Sequence, residues 1–408
     1  MRRVTEPPTT RTPGNPRAAN KRRIVLAASC MMAMLVLDSN AIGVVLPSMR
    51  ADFHLTATTS AAVAWVYLAA LTVALPVAGA VSKTVGARSA FAIGVLAFGV
   101  ASVGVGTAAD APSLLFWRAL AGIAAALSMP AALTLVTTAH HQGDAARAVS
   151  TYFAAGQVVA LVGPAVAGAL AQTASWRLAF LLNVPVALLA AALVRRAGTP
   201  ADKPEPSSRG AQRRTVFRNR RVIYYTLALA GLGAIMTVLT VYVAVLVQER
   251  LHLSPSGSGA ALLPMVVPLL IVSRWGTGWF PSRKCSALIG VGALTLGTVI
   301  VGAGLGLSSF IAVMIGLVPA GAGIALLLGP MSAAVTSAVA PSDAHVASTI
   351  ASFGRQFGSV MGVVGIGALL HGPGIAAAFT VLIGLGTLLA VPVCLAERPE
   401  HTPSHVPV

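Results

Sequence analysis

The stretch "RAGTPADKPEPSSRGAQRRTVFRNRR", residues 196–221, interrupts a chain that is otherwise apolar along most of its 408 residues. Its proline, serine and arginine content is typical of segments that cannot bury enough apolar surface to fold on their own. On either side lies a block of nearly equal length, 24–195 and 222–395. In both blocks apolar segments of about 20 residues recur, and that length crosses a lipid bilayer. The polar stretch therefore predicts a membrane protein made of two halves.

The composition agrees with this prediction. The chain is 56% hydrophobic and 10% charged, with a mean hydropathy of +0.83, whereas about a quarter of the residues of a soluble protein are charged. We predict an all-α polytopic membrane protein with twelve transmembrane helices in two six-helix bundles. The predicted spans are 24–46, 60–81, 89–108, 112–136, 148–171, 178–195, 222–247, 258–280, 285–306, 309–337, 345–370 and 373–395. Two such halves around a central site are the architecture of a transporter whose halves rock about the substrate.

The net charge of +17 is distributed in a way that indicates topology rather than nucleic-acid binding. Seven basic residues lie in the tail 1–23 and nine lie between Arg195 and Arg221. Under the positive-inside rule these segments are cytoplasmic, and twelve crossings return the tail 396–408 to the same side. We expect a multi-pass plasma-membrane protein with both termini in the cytoplasm, whose basic segments contact anionic lipid and which binds no nucleic acid.

Several kinds of chemistry find no support in the sequence. The three cysteines, Cys30, Cys285 and Cys394, lie in or beside apolar segments without metal-ligand spacing, so we interpret them as small packing residues. "LAASC", ending at Cys30, is similar to a lipoprotein cleavage site, but too few apolar residues precede it for a signal peptide. No GxxxxGK[ST] loop is present, which excludes ATP-driven transport by this chain. We expect no enzyme activity, no cofactor and no metal.

Two charged residues lie inside predicted spans of the first half. Asp38 interrupts the apolar run "MLVLDSNAIGVVLP", residues 34–47, and Arg118 lies in the fourth span. Counted from the ends of their spans, Asp38 is about 22 Å above the inner end and Arg118 about 9 Å below the outer end, so the two can be neighbours. A charge in an apolar span needs a partner. The pair is either a static salt bridge that fixes helix packing or a proton site, which we favour.

The fifth span, "STYFAAGQVVALVGPAVAGAL", presents small residues and a proline that can kink the helix: Gly156, Gly163, Pro164 and Gly168. Close helix packing is one role for such a face. In a chain with 40 glycines, this pattern alone is not specific.

Taken in order, these and other motifs resemble the drug:proton antiporter branch of the major facilitator superfamily. "LDSNAIGVVLP" resembles the first-helix motif LDxTxxNxALP, and "RALAGIAAA" resembles the fourth-helix motif whose arginine, here Arg118, is linked to proton transfer. "GPAVAG" is similar to the fifth-helix antiporter motif, with Ala167 where a second glycine is usual. "WRLAFLLNVP", residues 176–185, and "RQFGSVMGVV", residues 355–364, resemble further motifs of the same branch. The resemblance covers nearly all of residues 24–395.

The loop after the second span departs from the family pattern GxLaDRxGRR. In "GAVSKTVGARS", residues 79–89, Gly79, Gly86 and Arg88 match, but Lys83 occupies the acidic position and Ala87 a basic one. The resemblance assigns this loop to gating, but the exchanged charge means that it does not carry over the charge relay with which the family latches its inner gate. The branch also commonly has fourteen spans, whereas only a polar linker joins the halves here.

A third charged residue, Arg355, lies about 15 Å into the eleventh span. It either snorkels or caps backbone carbonyls near Gly354 and Gly358, or it contributes to the substrate cavity and biases it against dications. Gln157 and Gln356 are further candidate cavity residues.

The resemblance implies a proton-coupled exporter of small amphipathic organic compounds, such as drugs or natural products, that works by alternating access as a monomer. The proton gradient is the expected energy source, and protons, a small-molecule substrate and membrane lipid are the expected partners. Proton-coupled uptake of a metabolite is the alternative within transport. A non-transporting membrane receptor is the alternative from another class, but it would not need an acid and an arginine at matched depth.

Overall fold

The protein is described by a computed structural model that covers residues 16–140, 142–197, 219–275, 280, 282–339, 344–371 and 374–396. Within these ranges the chain forms helices and no strand. The helices are α1 (Pro16–Phe53), α2 (Ala57–Val85), α3 (Ala87–Gly106), α4 (Ala111–Ala139), α5 (Gln142–Thr173), α6 (Arg177–Leu181), α7 (Asn183–Arg196), α8 (Arg220–Leu251), α9 (Pro255–Ala260), α10 (Leu263–Trp275), α11 (Arg283–Gly306), α12 (Phe310–Ser337), α13 (Ala344–His371), α14 (Ile375–Leu388) and α15 (Ala390–Ala396). The predicted all-helical fold is confirmed.

Eleven segments of the described chain are long and apolar enough to cross a membrane. Each overlaps one of the predicted spans, and the remaining prediction, 148–171, lies within the 32-residue helix α5. The first helix is longer than predicted, since it continues past residue 46 to Phe53. The protein is therefore an integral, multi-pass membrane protein. Most of the N-terminal tail, most of the linker 196–221 and the C-terminal tail after Ala396 lie outside the described residues.

Three membrane segments consist of two consecutive helices, and a proline explains each division. Proline has no backbone N–H, so it cannot donate to the carbonyl four residues before it. The prolines concerned lie in the first turn of α7, α10 and α15: Pro185, Pro264 and Pro392. The preceding helices end four residues earlier, at Leu181, Ala260 and Leu388.

Polar caps define where several helices begin. The Thr56 hydroxyl accepts from the Thr59 N–H at 3.2 Å at the start of α2, and Asp110 and Ser113 form a reciprocal capping box at the start of α4. Ser254 and Ser309 cap α9 and α12 in the same way. Each satisfies backbone donors that a helix start leaves unpaired.

These four caps lie at one end of the bundle, because successive membrane segments alternate in direction. We call this end the Thr56 end. The opposite end, where α2 meets α3, is the Gly86 end.

Close helix contacts in both halves depend on glycine. In the first half, a β-carbon at Gly122 of α4 would overlap the carbonyl oxygen of Tyr67 on α2. In the second, a β-carbon at Gly358 of α13 would overlap that of Ala230 on α8. Lipid is as apolar as a helix surface, so association in the membrane relies on such small-residue packing. The backbones at these crossings leave no room for a larger residue.

Candidate functional site

The structure brings Asp38 of α1 and Arg118 of α4 into direct contact. Arg118 Nη1 donates to Asp38 Oδ2 at 2.7 Å, and the side chains of Arg118 and Asp38 are 1% and 2% exposed. The contact therefore lies inside the first half, away from water and lipid. The predicted neighbourhood of the two charges is confirmed, whereas the role of the pair stays a prediction.

The rest of the guanidinium of Arg118 is held by α2 and α6. Its Nε donates to the carbonyl oxygen of Val63 at 3.3 Å. The ring centroids of Tyr67 and Phe180 lie 4.8 Å and 5.8 Å from its Cζ. Aromatic faces attract a cation most strongly where water is excluded. Arg118 thus connects four helices of the first half, and a proton that neutralised Asp38 would leave the arginine held by the carbonyl and the rings.

The glycines and proline of the fifth-helix motif lie on two faces of α5. Gly156 and Gly163 face α1, where added β-carbons would lie 2.7 Å from Met32 Cγ and 3.2 Å from Leu37 Cδ1. Gly168 faces the backbone of Pro255 on α9, and Gly259 of α9 in turn faces the backbone of Pro164. The motif therefore packs α5 inside its own half with one face and against the second half with the other.

Other contacts between the halves lie near the same Gly168–Pro255 contact, at the Thr56 end. Arg50 of α1 donates to Glu249 of α8 at 2.9 Å, and the Ser256 hydroxyl donates to Gln172 of α5. Gln248 Nε2 donates to the carbonyl oxygen of Val44 at 2.9 Å. At the Gly86 end, in contrast, Arg23 and Arg88 donate to the carbonyl oxygens of Arg196 and Arg195 in their own half, and Asn219 donates to that of Ala338 in the second half. The two halves are thus closed against each other at the Thr56 end.

The predicted gating loop is a tight connection between α2 and α3. Gly86 caps both helices with a φ of 80°, a conformation that residues with a β-carbon rarely adopt. Arg88 donates to the carbonyl oxygen of Arg195 at the end of α7, and a β-carbon at Gly79 would meet no atom within 4 Å. Arg88 therefore satisfies a helix end of its own half. The side chain of Lys83 lies outside the described residues.

The structure describes the side chains of two of the three candidate cavity residues. Arg355 and Gln356 lie in the middle of α13, Arg355 partly buried and Gln356 8% exposed. Neither side chain makes a hydrogen bond or an ion pair with another residue. The stem of Arg355 runs across α8, where a β-carbon at Gly233 would lie 3.1 Å from its Cγ. The side chain of Gln157 lies outside the described residues.

A cluster of polar and aromatic side chains at the end of α1 was not predicted from the sequence. Asp52 accepts from Trp176 Nε1 and from Arg177 Nη1, both at 2.7 Å. The guanidinium of Arg177 also lies 4.5 Å from the Trp176 ring and 5.6 Å from that of Phe53. The cluster ties α6 to the end of α1. The adjacent Trp176 and Arg177, which open "WRLAFLLNVP", were the sequence signal from which this cluster could have been predicted.

No group of three potential metal ligands occurs among the side chains that the structure describes. The polar groups that could do chemistry in the membrane are instead the Asp38–Arg118 pair and the unpaired residues of α13. A helical, multi-pass fold with a buried acid–arginine pair is typical of one class of membrane protein, the secondary transporters.

The comparisons name the family. The chain matches the Major Facilitator Superfamily over residues 28–362 and belongs to it. It is similar to a D-xylose–proton symporter of known structure, with a TM-score of 0.78 at 16% identity, covering 91% of this chain and 97% of that one. It is also similar to a bacterial homologue of the lysosomal transporter Spinster, with a TM-score of 0.74 at 17% identity over 94% of this chain and 97% of that one. At such identities the likeness shows the fold.

Sequence relatives include resistance proteins. The chain is 36% identical over 168 residues to puromycin resistance protein pur8 of Streptomyces alboniger, covering 41% of this chain and 33% of the relative. It is 31% identical over 169 residues to the tetracenomycin C resistance and export protein of Streptomyces glaucescens, covering 41% and 31%. The matches to these curated relatives span about a third of their length.

Proposed function

We propose that the protein exports small amphipathic organic compounds in exchange for protons, by alternating access between its two halves. The buried Asp38–Arg118 pair is the observation that carries this proposal. The names of the relatives, which describe resistance and export, support the direction of transport. The substrate and the driving protons are the partners that this function needs, and it needs no cofactor or catalytic residue.

Asp38 is the proton carrier of this proposal, and Arg118 is a positioning residue. Burial favours the protonated form of a carboxyl group, whereas a neighbouring guanidinium favours the ionised form. In the proposed cycle, a movement that separates the two groups leaves the carboxylate without its cation and Asp38 takes up a proton. A movement that brings them together restores the pair, and the proton is released.

The proposed arrangement is two six-helix bundles, residues 24–195 and 222–395, joined by a cytoplasmic linker, 196–221. The long helix α5 supplies the twelfth span, and the basic tail 1–23 and the tail 396–408 are cytoplasmic under the positive-inside rule. With this orientation the Thr56 end faces outward. The contacts between the halves at that end then describe an inward-facing state, in which a substrate enters from the cytoplasm. We propose that a single chain carries out the cycle in the plasma membrane.

Proton release tests this proposal directly. The purified protein in proteoliposomes, exposed to a panel of amphipathic compounds, is expected to release protons when it binds a substrate. Asp38→Asn should abolish both release and export while inserting normally, because the amide cannot carry the proton. Release at the parental stoichiometry by Asp38→Asn would show that the acid is structural and would overturn the mechanism.

Uptake is the alternative, since the same coupling chemistry serves both directions. Growth of an exporter-deficient host across a compound panel separates the two. Expression should increase resistance and lower intracellular drug if the protein exports, whereas uptake would sensitise the host. Asp38→Asn is the control for either result.

A further inference from the structure

The charges in the membrane part of the molecule are unevenly paired. Four acidic side chains are described in or next to the spans, and each already has a partner: Asp38 with Arg118, Asp52 with Trp176 and Arg177, Glu249 with Arg50, and Asp110 with Ser113. The side chain of Arg355, in contrast, makes no hydrogen bond or ion pair. Among the described side chains, the membrane interior therefore offers an unpaired cation and no unpaired carboxylate.

The position of Arg355 on α13 places it toward the interior of the protein. The exposed apolar residues of this helix follow one stripe: Phe353, Phe357, Met361 and Val364. Arg355 lies on roughly the opposite face, at about 100° of rotation per residue. Its stem crosses Gly233 of α8, so the side chain does not extend into lipid.

Polar neighbours extend the site along α13. The Ser359 hydroxyl, one turn further on, accepts from Thr237 of α8 at 2.9 Å and donates to the carbonyl oxygens of Gly233 and Arg355. Gln356, 8% exposed and without a hydrogen-bond partner, lies on the same side of α13 as Gly367. A β-carbon at Gly367 would meet the Tyr242 hydroxyl of α8 and lie 3.7 Å from Cβ of Ala61 on α2. The polar arc of Arg355, Gln356 and Ser359 thus lies between the α8 contact and the contact with the first half.

We infer that Arg355 is the anion-recognition residue of this transporter and that its substrates are apolar compounds carrying an anionic oxygen group, such as a carboxylate. The inference rests on the proposed function and names the substrate class. An unpaired guanidinium at this depth is unfavourable unless an anion or water reaches it. An anionic oxygen accepts two parallel hydrogen bonds from a guanidinium, and the Gln356 amide adds a further donor. A cationic substrate would be repelled by Arg355, and no unpaired carboxylate among the described side chains would bind it.

A matched set of probes tests the inference. The probes share a pyrene ring on a butyl arm and end in a carboxylate, a hydroxyl or a trimethylammonium group. Binding to the full-length protein in nanodiscs of zwitterionic lipid is measured by fluorescence at fixed pH, with empty nanodiscs subtracted. The carboxylate probe is expected to bind most tightly, and Arg355→Gln to weaken it about tenfold, as expected for a lost charge-assisted hydrogen bond. Binding of the hydroxyl probe should change less than about twofold.

Two further variants separate recognition from general electrostatics and from misfolding. Arg220→Gln removes the same charge at the exposed start of α8 and should leave carboxylate binding unchanged. Arg355→Lys keeps the charge without the planar fork and should restore part of the affinity. The inference is overturned if wild type prefers the trimethylammonium probe, if it does not bind the carboxylate probe, or if Arg355→Gln or Arg220→Gln alters all probes equally.

Because binding at fixed pH requires no transport, the two proposals can fail separately. If carboxylate binding depends on Arg355 but the wild-type protein releases no protons when it binds a substrate, the proposed exchange is overturned and the anion site stands. Proton release by wild type together with a preference for cationic probes would overturn the anion site and leave the exchange.

Discussion

Two of the three described ion pairs of helix α1 have similar lengths and very different surroundings. Asp38 and Arg118 are 2.7 Å apart inside the first half, with side chains 2% and 1% exposed. Arg50 and Glu249 are 2.9 Å apart across the two halves, with side chains 40% and 41% exposed. Burial, rather than distance, distinguishes them, and each degree of burial suits a different task.

An exposed ion pair contributes about 0–1 kcal/mol, because water solvates the separated charges almost as well. Removing one partner of a buried pair costs about 3–5 kcal/mol, because the remaining charge is left without solvent or counter-ion. A contact between halves that rock must break in every cycle, so a weak pair is suitable there. A pair that governs a proton must respond strongly to a change of charge, so it is buried.

The largest expected effect comes from breaking the buried pair on its basic side. Arg118→Ala should destabilise the protein by about 3–5 kcal/mol, because it leaves the Asp38 carboxylate buried without a cation. Unfolding in detergent, monitored by thermal melting of the purified protein, measures the loss. Arg118→Lys keeps the charge and should be partly active, whereas Arg118→Ala should be inactive.

Adding Asp38→Asn to Arg118→Ala removes the uncompensated charge and should recover part of the lost stability. A loss below about 1 kcal/mol for Arg118→Ala would mean that water reaches the pair. The contrast with the exposed pair would then disappear.

The sequence predicts one of these pairs and not the other, for a physical reason. Asp38 and Arg118 each interrupt an apolar span, and a charge that lipid cannot solvate must find a partner at its own depth. Arg50 and Glu249 lie near span ends, where water solvates either charge alone, so their spacing in the sequence carries no information about pairing.

Packing partners are equally hard to predict. Forty glycines occur in the chain, and only the three-dimensional arrangement distinguishes Gly168, which meets the backbone of Pro255, from Gly292, which meets nothing within 4 Å. The prolines that divide three membrane segments are visible in the sequence, but Pro47, Pro76 and Pro164 lie inside undivided helices, so a missing N–H does not by itself decide where a helix ends. Local rules of this kind carry over from sequence to structure in part, whereas contacts between halves do not carry over.

The second-largest effect is expected at the contact between Gly168 and Pro255, where the two halves are closed against each other. Gly168→Val places a side chain against the Pro255 backbone, and overpacking of this kind costs about 1–3 kcal/mol. The strain acts only when the halves are in contact at the Thr56 end, so the population should shift by about tenfold toward the state that is open there. Spin labels at Ala174 and His252 would report the longer distance.

Gly292→Val is the matched control, because the same substitution there meets no neighbouring atom. Both variants are made after the native cysteines have been replaced by serine. An unchanged distance distribution in Gly168→Val would show that the contact of α5 with α9 does not limit opening.

A smaller effect is expected at the aromatic face of the buried pair. Tyr67→Leu removes the ring that lies 4.8 Å from Cζ of Arg118 and should cost about 2 kcal/mol, the attraction expected for a desolvated cation and ring. Tyr67→Phe keeps the ring and should be close to wild type in thermal unfolding. Equal losses for the two substitutions would assign the effect to the hydroxyl group instead.

The smallest effect is expected for the exposed pair between the halves. In a double-mutant cycle of Arg50→Gln and Glu249→Gln, the coupling energy should be about 0.2–1 kcal/mol and should decrease as salt is added, because exposed charges are screened. Each single variant should transport at close to the parental rate, since the pair has to open in every cycle. Unfolding measured at low and high salt gives the coupling. A coupling above about 2 kcal/mol that persists in high salt would mean that the pair is shielded from water, and the closed contact at the Thr56 end would then be a strong latch.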